Sequence, residues 1–426
     1  MLEVSIKDFT KAVAIANAAR QRRCTIPVLE AIRVRGIPGG PAAPASGGGR
    51  LELLTTDLDM SAHVALRCDT AKPVSFMLSD VNSLVSSINA AGGATAQFAE
   101  TDDGFSVRAG QLTRTTDNRL KVDDFPATAN VVDHVDFTAT LSVDALQQIE
   151  RVAVAISKEE TRYYLNGIHM KRLLDDPSGW TYRFAATDGH RLMVVDVPLP
   201  DAKGDLPGEL IIPRQFLTAL FQHFRRAEGP VMLRVGQGRL ANDPETTTAP
   251  AKAGLARVAV SAKLGAADVT FTGKVIDGTY PDYNRVIPKR GERHALFNIA
   301  ALRRAVLAVS AGMNPAPAVG FTFSADRVLV GLHYGVTGVS AEYRLDCQHN
   351  MPDGFRVGFR GIYVLDQLGA LRGTDVRLSV EDGASPSLWQ DVSESLWQDV
   401  SDPGFLSVLM PMRMPDLPAA SKGRKR

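Results

Sequence analysis

Few residues in this chain are of a type and spacing that could do chemistry. Asp188 and His190 are a carboxylate and an imidazole two positions apart, the pair that general acid/base catalysis draws on. Nothing around them supplies a nucleophile or a metal partner, so the pair alone defines no reaction. Gly236-Gln237-Gly238-Arg239-Leu240-Ala241 follows the strand-like run 231–235 and fits the letters of a dinucleotide fingerprint. That fingerprint needs a helix to begin there and aim its amides at a pyrophosphate, whereas Asn242-Asp243-Pro244 follows and suits a Gly-rich hairpin. There is no P-loop lysine motif, no strand-Ser-helix nucleophile elbow and no paired-His helix. The chain reads as a protein without catalytic activity, metal or cofactor.

Two other stretches carry side chains suited to binding. Arg162-Tyr163-Tyr164-Leu165-Asn166-Gly167 sets a cation beside adjacent aromatics, which fits either one core and one surface residue of a strand or a nucleic-acid contact. Val408-Leu409-Met410-Pro411-Met412-Arg413-Met414 is strand-like and carries three methionines. Methionine is flexible and polarisable, so it both fills cores and lines adaptable binding surfaces.

The elements that position these residues follow from period and punctuation. Residues 182–197 place apolar positions on both sides of Asp188-Gly189, which predicts two antiparallel strands joined by a tight turn with Gly189 at positive φ. Helix-capping residues open three apolar stretches of helical spacing: Ser5 before Phe9, Val13 and Ala16; Ser142 before Leu146, Ile149 and Ala153; Asn298 before Leu302, Ala305 and Val309. Further helical stretches are predicted at 80–91, 214–226 and 363–372. Short alternating runs such as 51–54, 257–262 and 328–332 predict strands. Thr56-Asp57 recurs as Thr187-Asp188, and Phe125-Pro126 recurs as Tyr280-Pro281. The starts are spaced by the length of a domain, so the expected fold is α+β, one unit in three tandem copies, each with an apolar sheet face against its helices. Expected boundaries are 1–131, 132–290 and 291–414, with a basic, disordered tail at 415–426.

Three insertions interrupt the plan. Residues 36–49 and 242–254 are rich in Gly, Pro, Ala and Thr and predict mobile hairpin loops. Residues 383–404 predict a third loop, which contains SerLeuTrpGlnAspValSer twice, at 387–393 and 395–401. Two exposed tryptophans call for a contact. One copy could fold back on a groove beside the last strand; a slipped duplication in a surface loop is the plainer reading.

With 426 residues, 45% hydrophobic and 22% charged, the chain is a multidomain globular protein. Its net charge of +1 supplies no overall basic field, so any DNA contact rests on local placement of Lys and Arg. Three widely spaced cysteines, Cys24, Cys68 and Cys347, offer no zinc or disulfide framework and fit a reducing compartment. No run reaches membrane-spanning length, and Glu3, Lys7 and Asp8 break any signal-peptide core. A cytoplasmic protein is expected.

Together ArgTyrTyrLeuAsnGly at 162, ThrAspGlyHisArgLeu at 187, TyrProAspTyr at 280 and MetProMetArg at 410 closely resemble the beta subunit of bacterial DNA polymerase III, the sliding clamp. The resemblance covers nearly the whole chain outside the insertions and the last dozen residues. It implies a processivity fold, in which two three-domain subunits close head to tail into a ring with helices lining the hole and antiparallel sheets outside. Duplex DNA would thread the ring without sequence preference, while the polymerase III alpha subunit, the clamp loader and other clients would dock through short peptide motifs. It implies DNA contacts for Arg23, Tyr163 and Tyr164; Lys11, Arg20, Arg151, Arg303 and Arg304, on or beside the first helix of each copy, are further candidates. It implies a client groove lined by Leu165, Thr187, Gly189, His190, Arg191, Leu192, Pro281, Arg285, Val286, Tyr363, Val408, Met410, Pro411, Met412, Arg413 and Met414.

Two departures from the family pattern stand out. The chain runs on from Pro415 to Arg426, and residues 313–319, where subunits would meet, include Pro315 and Pro317. A divergent second clamp serving a specialised polymerase or mobile element therefore stays open. So do a peptide-binding scaffold that does not encircle DNA and a nucleotide-dependent enzyme built around Gly236.

Overall fold

A computed structural model of the chain describes residues 1–39, 48–117, 120–126, 134–176, 179–237, 256–289, 291–313, 318–325, 327–334, 339–392 and 404–413. The elements recur in one order. First come β1 (Leu2–Ser5), α1 (Ile6–Ala16), β2 (Ile32–Ile37), β3 (Gly49–Thr56), β4 (Met60–Thr70), β5 (Val74–Leu78), α2 (Val81–Ala90), β6 (Thr95–Thr101), β7 (Gly104–Ala109) and β8 (Leu112–Asp117). The second round is β9 (His134–Leu141), α3 (Val143–Val152), β10 (Gly167–Arg172), β11 (Thr181–Thr187), β12 (Arg191–Pro198), the short β13 (Lys203–Gly204), β14 (Leu210–Pro213), α4 (Arg214–Phe224), β15 (Val231–Gln237), β16 (Ala256–Leu264) and β17 (Ala267–Lys274). The third is β18 (His294–Asn298), α5 (Ile299–Ser310), β19 (Ala318–Ser324), β20 (Arg327–Tyr334), β21 (Val339–Asp346), the short β22 (Gln348–His349), β23 (Arg356–Arg360), α6 (Gly361–Ala370), β24 (Asp375–Ser379), β25 (Ser387–Val392) and β26 (Phe405–Leu409).

Capping starts the first helix of each round where the sequence predicts. Ser5 Oγ accepts from the Asp8 amide at 3.4 Å, Ser142 Oγ from Ala145 at 3.0 Å and Asn298 Oδ1 from Ala301 at 3.0 Å. From there the apolar positions at helical spacing go into the core: Phe9, Ala12, Val13 and Ala16 in α1, Leu146, Ile149 and Val152 in α3, Leu302, Ala305, Val306 and Val309 in α5.

The chain divides into two compact units, Met1–Gln147 with Lys171–Thr181 and Pro198–Asp277, and Gln148–Met170 with Tyr182–Val197 and Gly278–Arg426. In the first, one sheet runs β9-β15-β16-β17-β4-β1-β6-β7-β8, with β3, β2 and β5 branching from β4. It carries the first round into the second because β17 pairs antiparallel with β4, from Asp268↔Ala65 to Gly273↔Met60. Its core gathers Phe9, Phe76, Phe98 and Phe105, with ring centroids as close as 4.5 Å. The second unit repeats the device: a sheet runs β10-β11-β12-β26-β25-β24-β18-β22, joined where β12 pairs antiparallel with β26 from Arg191↔Leu409 to Val195↔Phe405. A separate sheet, β21-β20-β19-β23, completes that unit.

One loop expectation is corrected. Residues 387–392 are strand β25, flanked in the sheet by β24 and β26, and Trp389 is fully buried. Both faces of that strand are covered. Ser387 Oγ donates to the Leu409 carbonyl at 2.8 Å, Trp389 Nε1 donates to Ser387 Oγ at 3.0 Å, and the indole meets Phe359 edge-on at 5.6 Å. The second copy, at 395–401, lies outside the described residues, as do 40–47, 238–255, 314–317 and the basic tail. Gly236 continues strand β15, paired with Arg257 on one side and Val135 on the other, while the rest of the fingerprint-like stretch, 238–241, lies outside the described residues. Among the described residues no helix is long and apolar enough to cross a membrane.

Candidate functional site

The turn between β11 and β12 is held by its own side chains. Thr187 Oγ1 donates to the Arg191 carbonyl at 2.6 Å and accepts from the Gly189 amide at 3.1 Å. Asp188 Oδ1 accepts from the amides of His190 and Arg191 at 3.0 and 3.1 Å. Gly189 sits at φ +88°, a backbone conformation that favours glycine, with the Arg162 guanidinium packed close to its Cα. The Asp188 carboxylate is therefore a turn anchor rather than an acid or base. Among the described residues no group of three His, Cys, Asp or Glu is arranged to hold a metal.

Arg191 fixes this turn to the helix that follows β23. Its guanidinium meets Asp188 at 3.1 Å, Asp366 of α6 at 2.5 Å and the Val154 carbonyl at 2.5 Å, and it lies 4.3 Å over the Tyr363 ring. Such a buried, fully engaged cation positions its neighbours instead of meeting a ligand. Arg360 also lies over Tyr363, at 4.9 Å, and donates to its hydroxyl at 3.1 Å. His190 stacks on the same ring at 6.2 Å. Below the turn, Thr187 N donates to the Tyr280 hydroxyl at 3.0 Å, and the Tyr280 ring stacks on His169 at 4.7 Å. Burial pushes the Tyr280 phenol above its usual range, so it meets Thr187 as a neutral hydroxyl.

The chain end completes the arrangement. Past β26 the Met410 amide donates to the His190 carbonyl at 2.8 Å, and the Met412 amide donates to the Gly358 carbonyl at 2.7 Å. Two bonds thus stretch residues 410–413 between the β11–β12 turn and β23. Apolar side chains are left uncovered here: Met410 and Met412 are 37% and 42% exposed, and Ile362, beside Tyr363 on α6, is 40% exposed; the polar His190 and Arg413 are exposed too. An apolar strip flanking an aromatic ring that two guanidiniums immobilise can take apolar side chains of an extended segment.

Of the groove residues expected from sequence, Thr187, His190, Arg191, Tyr363, Met410, Pro411 and Met412 come together here, with Pro281 and Gly189 exposed at the edge. Leu165, Leu192 and Val408 are buried beneath. Gln367 Nε2 donates to the Val408 carbonyl, so Val408 belongs to the floor. Arg285 is exposed and engages Asp282 at 3.0 Å; Val286 is 45% exposed, and Arg413 is exposed. Met414 lies outside the described residues. Sequence reasoning missed Asp366, Arg360, Ile362 and Gln367. The one available signal was helical spacing, since Arg360 and Asp366 each stand three positions from Tyr363.

The expected DNA contacts fare unevenly. Lys11, Arg303 and Arg304 are exposed on α1 and α5, and Arg23 is exposed at φ +60°. Tyr163 is 54% exposed and meets the half-buried Tyr164 edge-on at 5.8 Å. Arg20 is held locally, donating to Asn17 Oδ1 at 2.7 Å and to the Glu30 carbonyl at 2.8 Å. Arg151 is a correction: it is buried, pairs with Asp391 of β25 at 3.2 Å, donates to the Ala370 carbonyl and lies 3.8 Å over the Phe405 ring. A guanidinium with every face engaged has no surface left for phosphate.

Solved structures share this fold along most of its length. A sliding clamp (DNA polymerase III subunit beta) from Bartonella birtlesii, bound to griselimycin, superposes with a TM-score of 0.79 at 26% identity, over 97% of this chain and 99% of its own. The polymerase III beta of Caulobacter crescentus gives 0.77 at 25% identity, over 97% and 100%. The fold is that of a sliding clamp. A family model for the DNA polymerase III beta subunit, central domain, matches residues 140–282. The beta sliding clamp of Caulobacter vibrioides is 27% identical over 410 residues, 95% of this chain and 97% of its own, and that of Pseudomonas putida is 29% identical over 325 residues, 72% and 73%. Over nearly its whole length the chain is similar to bacterial DNA polymerase III beta subunits.

Proposed function

We propose that this protein is a DNA polymerase processivity factor, a sliding clamp that encircles duplex DNA and tethers the replicative polymerase. The observation that carries the reading is the thrice-repeated element order in a chain that resembles beta sliding clamps over 95% of its length. On this reading the three domains are 1–131, 132–290 and 291–414, and two copies close head to tail into a ring in the cytoplasm. Retention is topological, so backbone contact without base readout suits a protein that must slide. Arg23, Lys11, Tyr163, Tyr164, Arg303 and Arg304 are the proposed contacts to the duplex, all of them exposed or half-buried. The apolar strip of Met410, Met412 and Ile362 beside Tyr363 is the proposed docking groove for short peptide segments of the polymerase, clamp loader and other clients. No bond is made or broken: tethering raises the effective concentration of polymerase at the primer end.

The test is retention on DNA of two topologies. Protein loaded on closed circular DNA should stay bound through gel filtration and leave once a restriction enzyme linearises the circle. Equal loss from circle and line would overturn encirclement.

A further inference from the structure

The first unit contains a residue-by-residue counterpart of the groove. Thr56 Oγ1 donates to the Met60 carbonyl at 2.8 Å and accepts from the Leu58 amide at 3.0 Å; Asp57 Oδ1 accepts from Asp59 and Met60 at 3.0 and 2.7 Å. These are the bonds of the Thr187–Arg191 turn, with Leu58 at φ +79° where that turn has Gly189. The strand that joins the two rounds pairs with β4 as β26 pairs with β12, and its exit repeats the same two bonds. Lys274 N donates to the Asp59 carbonyl at 2.9 Å, as Met410 does to His190, and Ile276 N donates to the Ile211 carbonyl at 2.9 Å, as Met412 does to Gly358. On α4, Phe216 holds the position that Tyr363 holds on α6, the third residue of its helix.

The frame is shared and the filling differs. Gly273 pairs with Met60 where Leu409 pairs with Arg191, and a Cβ on Gly273 would lie 2.7 Å from the Phe216 ring. The ring thus rests against bare backbone. Met60 replaces the clamping arginine, and Gln215 Nε2 takes over the bond to the turn's aspartate, Asp57 Oδ2. What results is a cavity of about 400 Å3 with Met60, Phe216, Val275 and Ile276 in its wall and Asp59 and Lys274 at its edge. Lys274 bonds Asp59 at 2.9 Å and is the cation that lines the cavity, with Arg257 opposite it in register on the neighbouring strand. The Lys274–Asp59 pair is solvent-exposed and opens at little cost.

We infer that this cavity is a second peptide-docking site, taking an extended segment that carries a large apolar side chain next to a carboxylate. The inference rests on the groove reading, since quasi-equivalent frames are expected to take the same class of ligand. The wall accepts the apolar side chain, and Lys274, released from Asp59, meets the acidic group.

Methyl NMR of methionine-labelled full chain separates the two sites, because Met60 reports on the cavity and Met412 on the groove. The probe is the tripeptide acetyl-Asp-Leu-Phe-amide, with resonances assigned through Met60→Leu and Met412→Leu. Saturable shifts are expected at both methyls. Lys274→Glu should weaken the Met60 response about tenfold, equivalent to 1.4 kcal/mol, and leave the Met412 response unchanged; the neutral probe acetyl-Asn-Leu-Phe-amide should lose the same factor at Met60 alone. A Met60 methyl that stays still while Met412 saturates overturns the second site and leaves the groove reading intact. Movement of Met60 with Met412 still supports the second site and removes the groove. A Met60 shift indifferent to Lys274→Glu overturns the proposed recognition.

Discussion

Arg151 and Arg303 stand on the equivalent helices of successive rounds, yet their surroundings give them opposite roles. Arg151 is buried against Asp391, itself 1% exposed, and removing one partner of such a pair leaves an uncompensated buried charge. Arg151→Ala should therefore cost about 3 to 5 kcal/mol in denaturant unfolding, with any loss of DNA binding following the loss of fold. Arg303 is exposed on α5. Arg303→Ala should leave unfolding unchanged and lower the slope of log affinity against log salt by about 1. Unchanged stability in Arg151→Ala would mean that its guanidinium is free after all. Arg191 is of the first kind, and Arg191→Ala should cost about 2 to 4 kcal/mol by unpairing Asp188 and Asp366. None of this was legible in the sequence: Arg151 and Asp391 are 240 positions apart, and Arg191 and Asp366 are 175 apart. A basic residue near a helix end looks the same whether it faces solvent or a distant carboxylate. The Thr187–Arg191 turn was legible because its bonds lie within five residues and demand those side chains.

At the scale of elements, the helix starts could be read because each cap is local, while β25 could not. Its first residues follow Pro386, and its letters are repeated eight positions on, which gives the whole stretch the look of an inserted loop. Only its neighbours β24 and β26 make it a central strand. The repeat supplies a test. Deleting residues 387–394 brings Ser395 directly after Pro386 and restores SerLeuTrpGlnAspValSer at the same place in the chain. Unfolding free energy should then stay within about 0.5 kcal/mol of the parent. In that background Trp397→Ala should cost about 3 to 5 kcal/mol, the usual loss for truncating a buried aromatic. A deletion that is itself destabilising by several kcal/mol would show that the two copies are not interchangeable.

On the scale of the whole molecule, one joint is used twice. A strand ending one round pairs with the third strand after the first helix of the round before, and its exit is bonded to the turn that leads into that strand and to the strand before the second helix of its own round. At the second joint the exit carries Met410 and Met412, the side chains proposed to dock clients. The direct measurement is product length in single-encounter primer extension by a bacterial polymerase III on circular DNA. With the parent chain loaded, products should be long. With Met410→Ala and Met412→Ala combined, they should shorten toward the clamp-free length while capture on circular DNA persists. Products as long as the parent's from that variant would contradict the assignment of the groove.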